Sequence, residues 1–552
     1  MRRELADQVA SWIAADPDDD DRSTLETLLS ANDEVELERR FAAPLTFGTA
    51  GLRGPVMAGS AGMNRLTVRR ATQGVVAWMR EIGVASSRGV VVGRDARRGS
   101  ESFNDEVVAV LLGAGVRVFE MPGALPTPLV AYCVKALGAG AGIMITASHN
   151  PRGDNGYKLY ASDGAQIISP HDEIVERHAR GARKPPLGER ASDLHEYVAR
   201  EVLEQYRAHF VQRFGVGDSD LRIVYTPLHG VGGATMMELW RDAGYRFVVP
   251  VASQFEPDAA FPTLPFPNPE EPGALDLAIA AGEENDSTLV IANDPDADRL
   301  GVALRDGAGW RVLRGDQIGW LLASSLLGEM ASPHDVVATT IVSSTLLGEM
   351  AREAHVRYAS TLTGFKWIAR AAGDGVLRFG YEEALGFAVD PSVADKDGLS
   401  AALALARLAH ELALDGETLL DRLDEIETRF GVHAIDQLSI RVEGPEGRSV
   451  IDDAVSRLRA NPPASLGPLA VSGVDDLARG YRGLAPTEGI LLTLESTGRV
   501  VVRPSGTEAK LKAYFEVVVA PSSDSTLDAQ RVGAAIVLGA VRADLERLLG
   551  LS

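Results

Sequence analysis

The apolar run Gly142-Ile143-Met144-Ile145 feeds directly into Thr146-Ala147-Ser148-His149-Asn150-Pro151, and no other stretch constrains the fold as strongly. Such a run, closed by a polar turn, reads as a buried strand, and open α/β sheets bind ligands at the carboxyl ends of their strands. Gly89-Val90-Val91-Val92-Gly93 and Val116-Arg117-Val118-Phe119 read as further strands. Val68, Ala71, Val75, Met79 and Ile82 follow helical spacing ahead of them, and another helix enters near Ser100, after Arg94-Asp95-Ala96-Arg97. The alternation favours a mostly parallel sheet. It recurs twice. Leu221 to Tyr225 and Thr288 to Ala292 belong to a second unit, and a third begins near Arg311, with a strand from Asp335 to Val342 and a helix from Leu399 to Leu412. A chain of 552 residues exceeds one core, and about three to five domains are expected. Residues near the start read as a solvated helix with Leu25, Leu28 and Leu29 on one face, and Pro257 to Pro272 as a connecting loop.

Chemistry concentrates in the loops that follow these strands. Ser148 has a histidine beside it and a turn-forming Asn-Pro behind it. A lone serine in a polar loop usually bonds its own backbone, so its meaning depends on the other loops. Phe47-Gly48-Thr49-Ala50-Gly51-Leu52-Arg53-Gly54 lets backbone approach a ligand, and Arg53 offers a planar fork to an oxyanion. Asp154-Asn155-Gly156-Tyr157-Lys158 reads as a turn returning an amine towards Ser148; Lys158 is a proton shuttle, a phosphate ligand or an ordinary surface lysine. Asp294, Asp296 and Asp298 alternate just after a strand, and Pro295 keeps them out of a helix. Such close carboxylates repel unless a cation neutralises them, and an oxygen-only set suits Mg²⁺. The EF-hand spacing fails, with no glycine at its sixth position and no glutamate at its twelfth.

Arg378-Phe379-Gly380 delivers Tyr381-Glu382-Glu383-Ala384-Leu385-Gly386-Phe387, where Glu382 and Glu383 can accept hydrogen bonds from sugar hydroxyls. Lys396, in Asp395-Lys396-Asp397-Gly398, is a candidate phosphate contact. The last unit differs: Val500-Val501-Val502 leads to Arg503-Pro504-Ser505-Gly506-Thr507-Glu508-Ala509-Lys510. Fork, backbone amides, hydroxyls and a point charge together make a phosphate cradle.

A net charge of −22 argues against nucleic acid, and no stretch approaches the roughly 20 apolar residues that span a bilayer. Cys133, the single cysteine, fits a reducing compartment. Asp18 to Asp21 and the lack of an apolar segment near Met1 give no sign of a signal peptide, so a cytoplasmic protein is expected.

These loops, in this order, closely resemble the α-D-phosphohexomutase family over almost the whole chain. Its phosphoserine loop matches Thr146 to Pro151, its metal loop Asp294 to Arg299, its sugar loop Tyr381 to Phe387 and its phosphate loop Arg503 to Lys510. Phe47 to Gly54 and Thr226 to Gly233 look like the branch holding bacterial phosphoglucomutases, phosphopentomutases and glucose-1,6-bisphosphate synthases. The resemblance implies three consecutive α/β domains with mixed, mostly parallel sheets and a smaller C-terminal α+β domain, around a central cleft. Their expected bounds are 1–205, 206–310, 311–432 and 433–552.

It also implies reversible phosphate transfer between C1 and C6 of a hexose, through phosphorylated Ser148 and a bisphosphorylated sugar. Mg²⁺ is expected on Asp294, Asp296, Asp298 and the serine phosphate, with glucose 1,6-bisphosphate as activator and intermediate. Arg53, His149 and Lys158 match positions implicated in proton transfer or oxyanion neutralisation, and the choice of base stays open. Arg299, Thr363, Gly364, Lys366, Glu382, Glu383, Lys396, Arg503, Ser505, Gly506, Thr507 and Lys510 form the expected substrate-binding set. The sugar loop departs from some subfamilies: Ala384 stands for a serine and Phe387 for a histidine. Losing one hydroxyl contact costs only about 1 kcal/mol, so hexose binding is expected to survive. Glucose phosphate is the first expectation, mannose phosphate the second and pentose phosphate the third. A bisphosphate synthase, a metal-dependent phosphatase and a non-catalytic sugar-phosphate sensor are the competing readings.

Overall fold

The computed structural model describes residues 2–48, 51–182, 185–442, 446–495, 498–504 and 510–550. The chain divides into two compact units: Met1–Leu313 with Ala384–Glu411, and Arg314–Glu383 with Leu412–Ser552.

The first unit opens with three helices, Arg3–Ala15, Asp19–Ser30 and Glu34–Phe41. Asp18 caps the second by accepting from the Asp20 and Asp21 amides, and Asp33 caps the third through Glu36. They are less solvated than the sequence suggested. Leu5, Val9, Trp12, Leu25, Leu37 and Phe41 pack on Ala58 and Leu66, whereas Leu28 and Leu29 are only partly covered.

Two mixed sheets follow. The six-stranded one runs Leu52–Pro55, Asp154–Ala161, Ala141–Ile145, Val90–Arg94, Val118–Ala124, His195–Tyr197 in spatial order. Its last four strands are parallel, and the central ones are buried along nearly their whole length, as parallel strands covered on both faces must be. Asp154–Lys158 is not a turn. It begins the strand Asp154–Ala161, antiparallel to Ala141–Ile145, with Lys158 opposite Met144. The reversal occurs earlier, where the Asp154 amide donates to the Pro151 carbonyl at 3.0 Å. Gly156 suits a strand squeezed on both sides: an added Cβ would lie 2.5 Å from the Thr146 carbonyl oxygen. The five-stranded sheet runs Gly309–Val312, Gly301–Asp306, Leu289–Ala292, Ser219–Thr226, Tyr245–Pro250.

In the second unit Asp335–Thr340 lies between Arg357–Thr361 and Val376–Glu382, all parallel. A six-stranded antiparallel sheet then runs Val432–Arg441, Lys510–Val519, Gly498–Pro504, Ile490–Leu494, Leu469–Asp476, Ser465–Leu466. Helices Gly447–Ala460 and Leu527–Leu549 bury Ile451, Val455, Val541 and Leu545 with its apolar side chains. Among the described residues, no helix is long and apolar enough to cross a membrane.

Candidate active site

The strand Ala141–Ile145 ends at Thr146, whose Oγ1 accepts from the Ser148 amide at 2.9 Å. This contact turns the chain sharply, and Ser148 takes a left-handed backbone with φ of 51°. A non-glycine residue there is uncommon and marks a position fixed by its surroundings. Arg97 supplies much of that fixing. Its guanidinium donates to the carbonyls of Ser148 (2.6 Å), Asn150 (2.7 Å), Pro151 (2.9 Å) and Asp154 (3.3 Å). The sequence reading passed over Arg97; its only signal was an Arg-Asp-Ala-Arg run at a strand end. Arg53 braces the same loop, donating to Asn150 Oδ1 at 3.0 Å.

Ser148 is buried, and its Oγ donates to Asp294 Oδ2 at 2.7 Å. His149 Nδ1 lies 3.1 Å from the same Oγ. Asp294 belongs to the loop after Leu289–Ala292, held by Ala297 donating to the Asp294 carbonyl and Val231 donating to that of Pro295, each at 2.8 Å. Pro295 thus fixes a loop in which Asp294, Asp296 and Asp298 are all buried, with one oxygen of each within 4.8 Å of the others.

Lys158 is no surface lysine. It is fully buried and donates to Asp296 Oδ2 at 2.7 Å and Asp298 Oδ2 at 2.6 Å. Lys396 Nζ lies 3.1 Å from Asp298 Oδ2, and Arg299 Nε stands 4.0 Å from Asp294 and 3.9 Å from Asp298. Thr127, which the sequence reading also missed, donates to Asp296 Oδ2 at 2.6 Å. These neighbours split the three acids. Burial, then Asp296 and Asp298, push Asp294 well above the usual carboxylate range. Burial opposes ionisation of Asp296 and Asp298 too, but Lys158 holds both below their ordinary values, helped by Lys396 at Asp298.

The three acids could hold a metal ion. Asp296 Oδ1 and Asp298 Oδ1 are buried without a hydrogen-bond partner, and a cation would satisfy such orphaned oxygens. The donor set is all oxygen, which suits a hard divalent ion.

The second unit carries the other candidates. Glu383, at the end of Val376–Glu382, accepts from Thr340 Oγ1 at 3.2 Å and Ser343 Oγ at 3.1 Å. Glu382 is buried. Thr363 and Gly364 precede the short helix Phe365–Ile368, which carries Lys366. Arg503 lies inside the strand Gly498–Pro504, not in a turn, and pairs directly with Lys512 of Lys510–Val519. Lys512 was another omission, signalled only by lysines alternating along Lys510-Leu511-Lys512. Ser505, Gly506 and Thr507 lie outside the described residues.

Four family descriptions match the chain in order. They are the phosphoglucomutase/phosphomannomutase α/β/α domains I (residues 44–185), II (204–307) and III (314–430), and the C-terminal domain (440–531). A Haemophilus influenzae protein named a probable phosphomannomutase is 39% identical, covering 82% of this chain and 93% of its own. Mouse phosphopentomutase is 33% identical over 95% of this chain and 92% of its own. A Staphylococcus aureus phosphoglucomutase is 33% identical over 91% of this chain and 94% of its own. In fold, the chain resembles the open form of parafusin, a Paramecium phosphoglucomutase, with a TM-score of 0.72 at 17% identity. That match covers 92% of this chain and 97% of the other.

Proposed function

Because the chain belongs to the phosphoglucomutase/phosphomannomutase family and is a sugar-phosphate mutase, we propose that it interconverts glucose 1-phosphate and glucose 6-phosphate through phosphorylated Ser148. The observation that carries the assignment is the 2.7 Å contact of Ser148 Oγ with Asp294, beside carboxylate oxygens that have no partner. A hydroxyl held at that point can carry a phosphoryl group next to a divalent ion.

In the first half-reaction the bond between phosphorus and Ser148 Oγ breaks and one to a sugar hydroxyl oxygen forms, giving a bisphosphate; the hydroxyl releases its proton to water as Ser148 Oγ gains one, and both proton transfers reverse in the second half. After the sugar reorients, the other phosphate returns to Ser148. The 3.1 Å spacing supports His149 Nδ1 as the group that gives a proton to Ser148 Oγ and takes it back. Lys158, already engaged by two carboxylates, orients them, and Arg53 and Arg97 keep the serine loop rigid. Asp294, Asp296, Asp298 and Ser148 Oγ would hold Mg²⁺, which offsets charge on the transferring phosphoryl oxygens when bound. Glu382 and Glu383 are assigned to sugar hydroxyls. Thr363, Gly364, Lys366, Lys396 and Arg299 are assigned to further substrate contacts. Arg503, Ser505, Gly506, Thr507 and Lys510 are assigned to the phosphate not being transferred. A cytoplasmic setting fits these metabolites.

Relatives named for mannose, pentose and glucose phosphates keep three sugars in view. Glucose, mannose, ribose and deoxyribose 1-phosphates should be assayed with Mg²⁺ and catalytic glucose 1,6-bisphosphate. The highest kcat/KM is expected with glucose 1-phosphate. A higher value with mannose or pentose phosphate replaces the substrate assignment, and inorganic phosphate released faster than isomer would indicate a phosphatase. Turnover that requires a second phosphoryl donor such as 1,3-bisphosphoglycerate would make it a bisphosphate synthase.

A further inference from the structure

Residues 1–43 precede the first family-matched segment, and the first of their helices lines a cavity of about 190 Å³ beside Phe47 and Leu52. Trp12, from Arg3–Ala15, forms one wall; Leu45, Phe47 and Leu52, from the segment entering the first strand, form another. Ala71, on the helix Arg65–Glu81, closes it further. Apolar cavities of about 150 Å³ accept a benzene ring, so this one has room for a ring and a small substituent.

Its polar groups point to the substituent. Ser60 lines the cavity at 7% exposure, and its Oγ has no hydrogen-bond partner. A buried hydroxyl left so is unfavourable unless something else supplies the partner. Arg70 and Arg180 also line the cavity, and the Arg70 guanidinium carbon lies 4.6 Å from the centroid of the Trp12 ring. Among the described residues of the lining Glu176 is the one acid, and it is already engaged. It accepts from the Phe47 amide at 2.6 Å and from Arg180 at 3.3 Å. Asp16 attracts Arg70 from nearby, but its carboxylate is held by the Trp12 indole at 3.0 Å and the Asp18 amide at 3.0 Å. Among its described residues the lining therefore carries one more positive than negative charge, beside a hydroxyl that lacks a hydrogen-bond partner.

We propose that this cavity binds a small single-ring aromatic carboxylate. The ring lies against Trp12 and Phe47, and the carboxylate accepts from Ser60 Oγ and faces Arg70. Leu52, in the lining, adjoins Arg53, which braces the Ser148 loop through Asn150.

Benzoate is the probe, with benzyl alcohol and inorganic phosphate as comparators. Binding to the full chain is followed by ligand-observed NMR and by tryptophan fluorescence. Saturable benzoate binding is expected below about 1 mM, with benzyl alcohol about tenfold or more weaker for want of the charge. Ser60→Ala should weaken benzoate about fivefold, and Ala71→Leu, which fills the space, should abolish binding. Trp12→Phe should remove the fluorescence change and keep the NMR signal. Bound benzoate should slow hydrogen exchange at the Phe47 amide. The proposal is overturned by an absence of saturable binding up to about 10 mM, by unchanged affinity in Ser60→Ala, or by equal competition from inorganic phosphate.

Discussion

Lys158 keeps two of its neighbours ionised where burial alone would neutralise them. Its ammonium lies between Asp296 and Asp298, both fully buried, and is the main reason their carboxyls stay below the usual range. Removing one partner of a buried ion pair costs about 3–5 kcal/mol, because the charge left behind has nothing to replace water. Lys158→Met should therefore destabilise the metal-free protein by about that amount. Mg²⁺ should restore more stability to the variant than to the wild type, since it would take over the neutralising role. Urea unfolding with EDTA and with Mg²⁺ measures both; a loss under about 1 kcal/mol would count against this account. The pH dependence has a definite sign. The folded pKa of Asp298 is depressed, so its stabilisation is present above the unfolded carboxylate value of about 3.9 and is lost as pH falls below it. Ser148 is tested more directly. Ser148→Ala should abolish turnover, leave the circular dichroism spectrum unchanged and remove the phosphate from the intact mass; phosphate retained by the variant would place the carrier elsewhere.

Where strands meet loops, two buried acids of the second unit respond to pH in opposite directions. Glu516, on Lys510–Val519, accepts from Arg499 Nε at 2.8 Å, Ser344 Oγ at 2.6 Å, the Thr345 amide at 2.8 Å and His433 Nδ1 at 3.0 Å. Burial opposes its ionisation, but Arg499 and these donors keep it well below the usual range. Arg499 in turn donates to the carbonyls of Ile341 and Ser343, tying the antiparallel sheet to the loop that supports Glu383. Asp316 sits on the same loop's far side, accepting from the Ser344 amide at 2.7 Å and the Tyr381 hydroxyl at 2.8 Å. Burial, with a contribution from Glu383, raises its carboxyl to about 7. A raised acid stabilises the fold below its unfolded pKa and loses that contribution as pH climbs through the folded value. Relative to Asp316→Asn, the wild type should thus lose on the order of 1 kcal/mol per pH unit between about 4 and 7, then level off. Parallel stability curves for the two proteins would refute this. The strands behind Ser148 and Asp294 were legible because each is an apolar run stopped by polar turn residues. The burial of Lys158 and Glu516 was not, because the acids that hold Lys158 lie 138 and 140 residues away and Ser344, which donates to Glu516, lies 172 away. Asp154-Asn155-Gly156 misled for the opposite reason. Its letters are common in turns, yet Gly156 serves the close approach of neighbouring strands.

On the scale of the whole molecule, a net charge of −22 and an anionic substrate are reconciled by gathering cations where phosphate is to bind. The first unit carries Ser148, the three acids and their lysines; the second carries Glu382, Glu383 and a cationic sheet end. There Arg503 faces Lys512 and Arg441 faces Lys510 across adjacent strand pairs. If Ser148 is the phosphoryl carrier, as proposed, both half-reactions present a phosphate to it, so the opposite phosphate needs one anchor that tolerates the sugar in two orientations. Contacts to phosphate oxygens meet that demand better than contacts to hydroxyls. Charge-assisted hydrogen bonds contribute about 1.5–3 kcal/mol each, and Arg503 can supply two, so Arg503→Ala should lower kcat/KM by roughly two to three orders of magnitude. Binding energy at the distal phosphate also positions the reacting end, so kcat should fall as KM rises. Water has no distal phosphate. Slow hydrolysis of phosphorylated Ser148, followed by intact mass without sugar, should therefore hardly change in the variant. A loss in kcat/KM below about fivefold would remove Arg503 from the anchor, because even one neutral hydrogen bond is worth about that much. An equal loss in the hydrolysis reaction would instead mean that Arg503 acts on the serine loop itself.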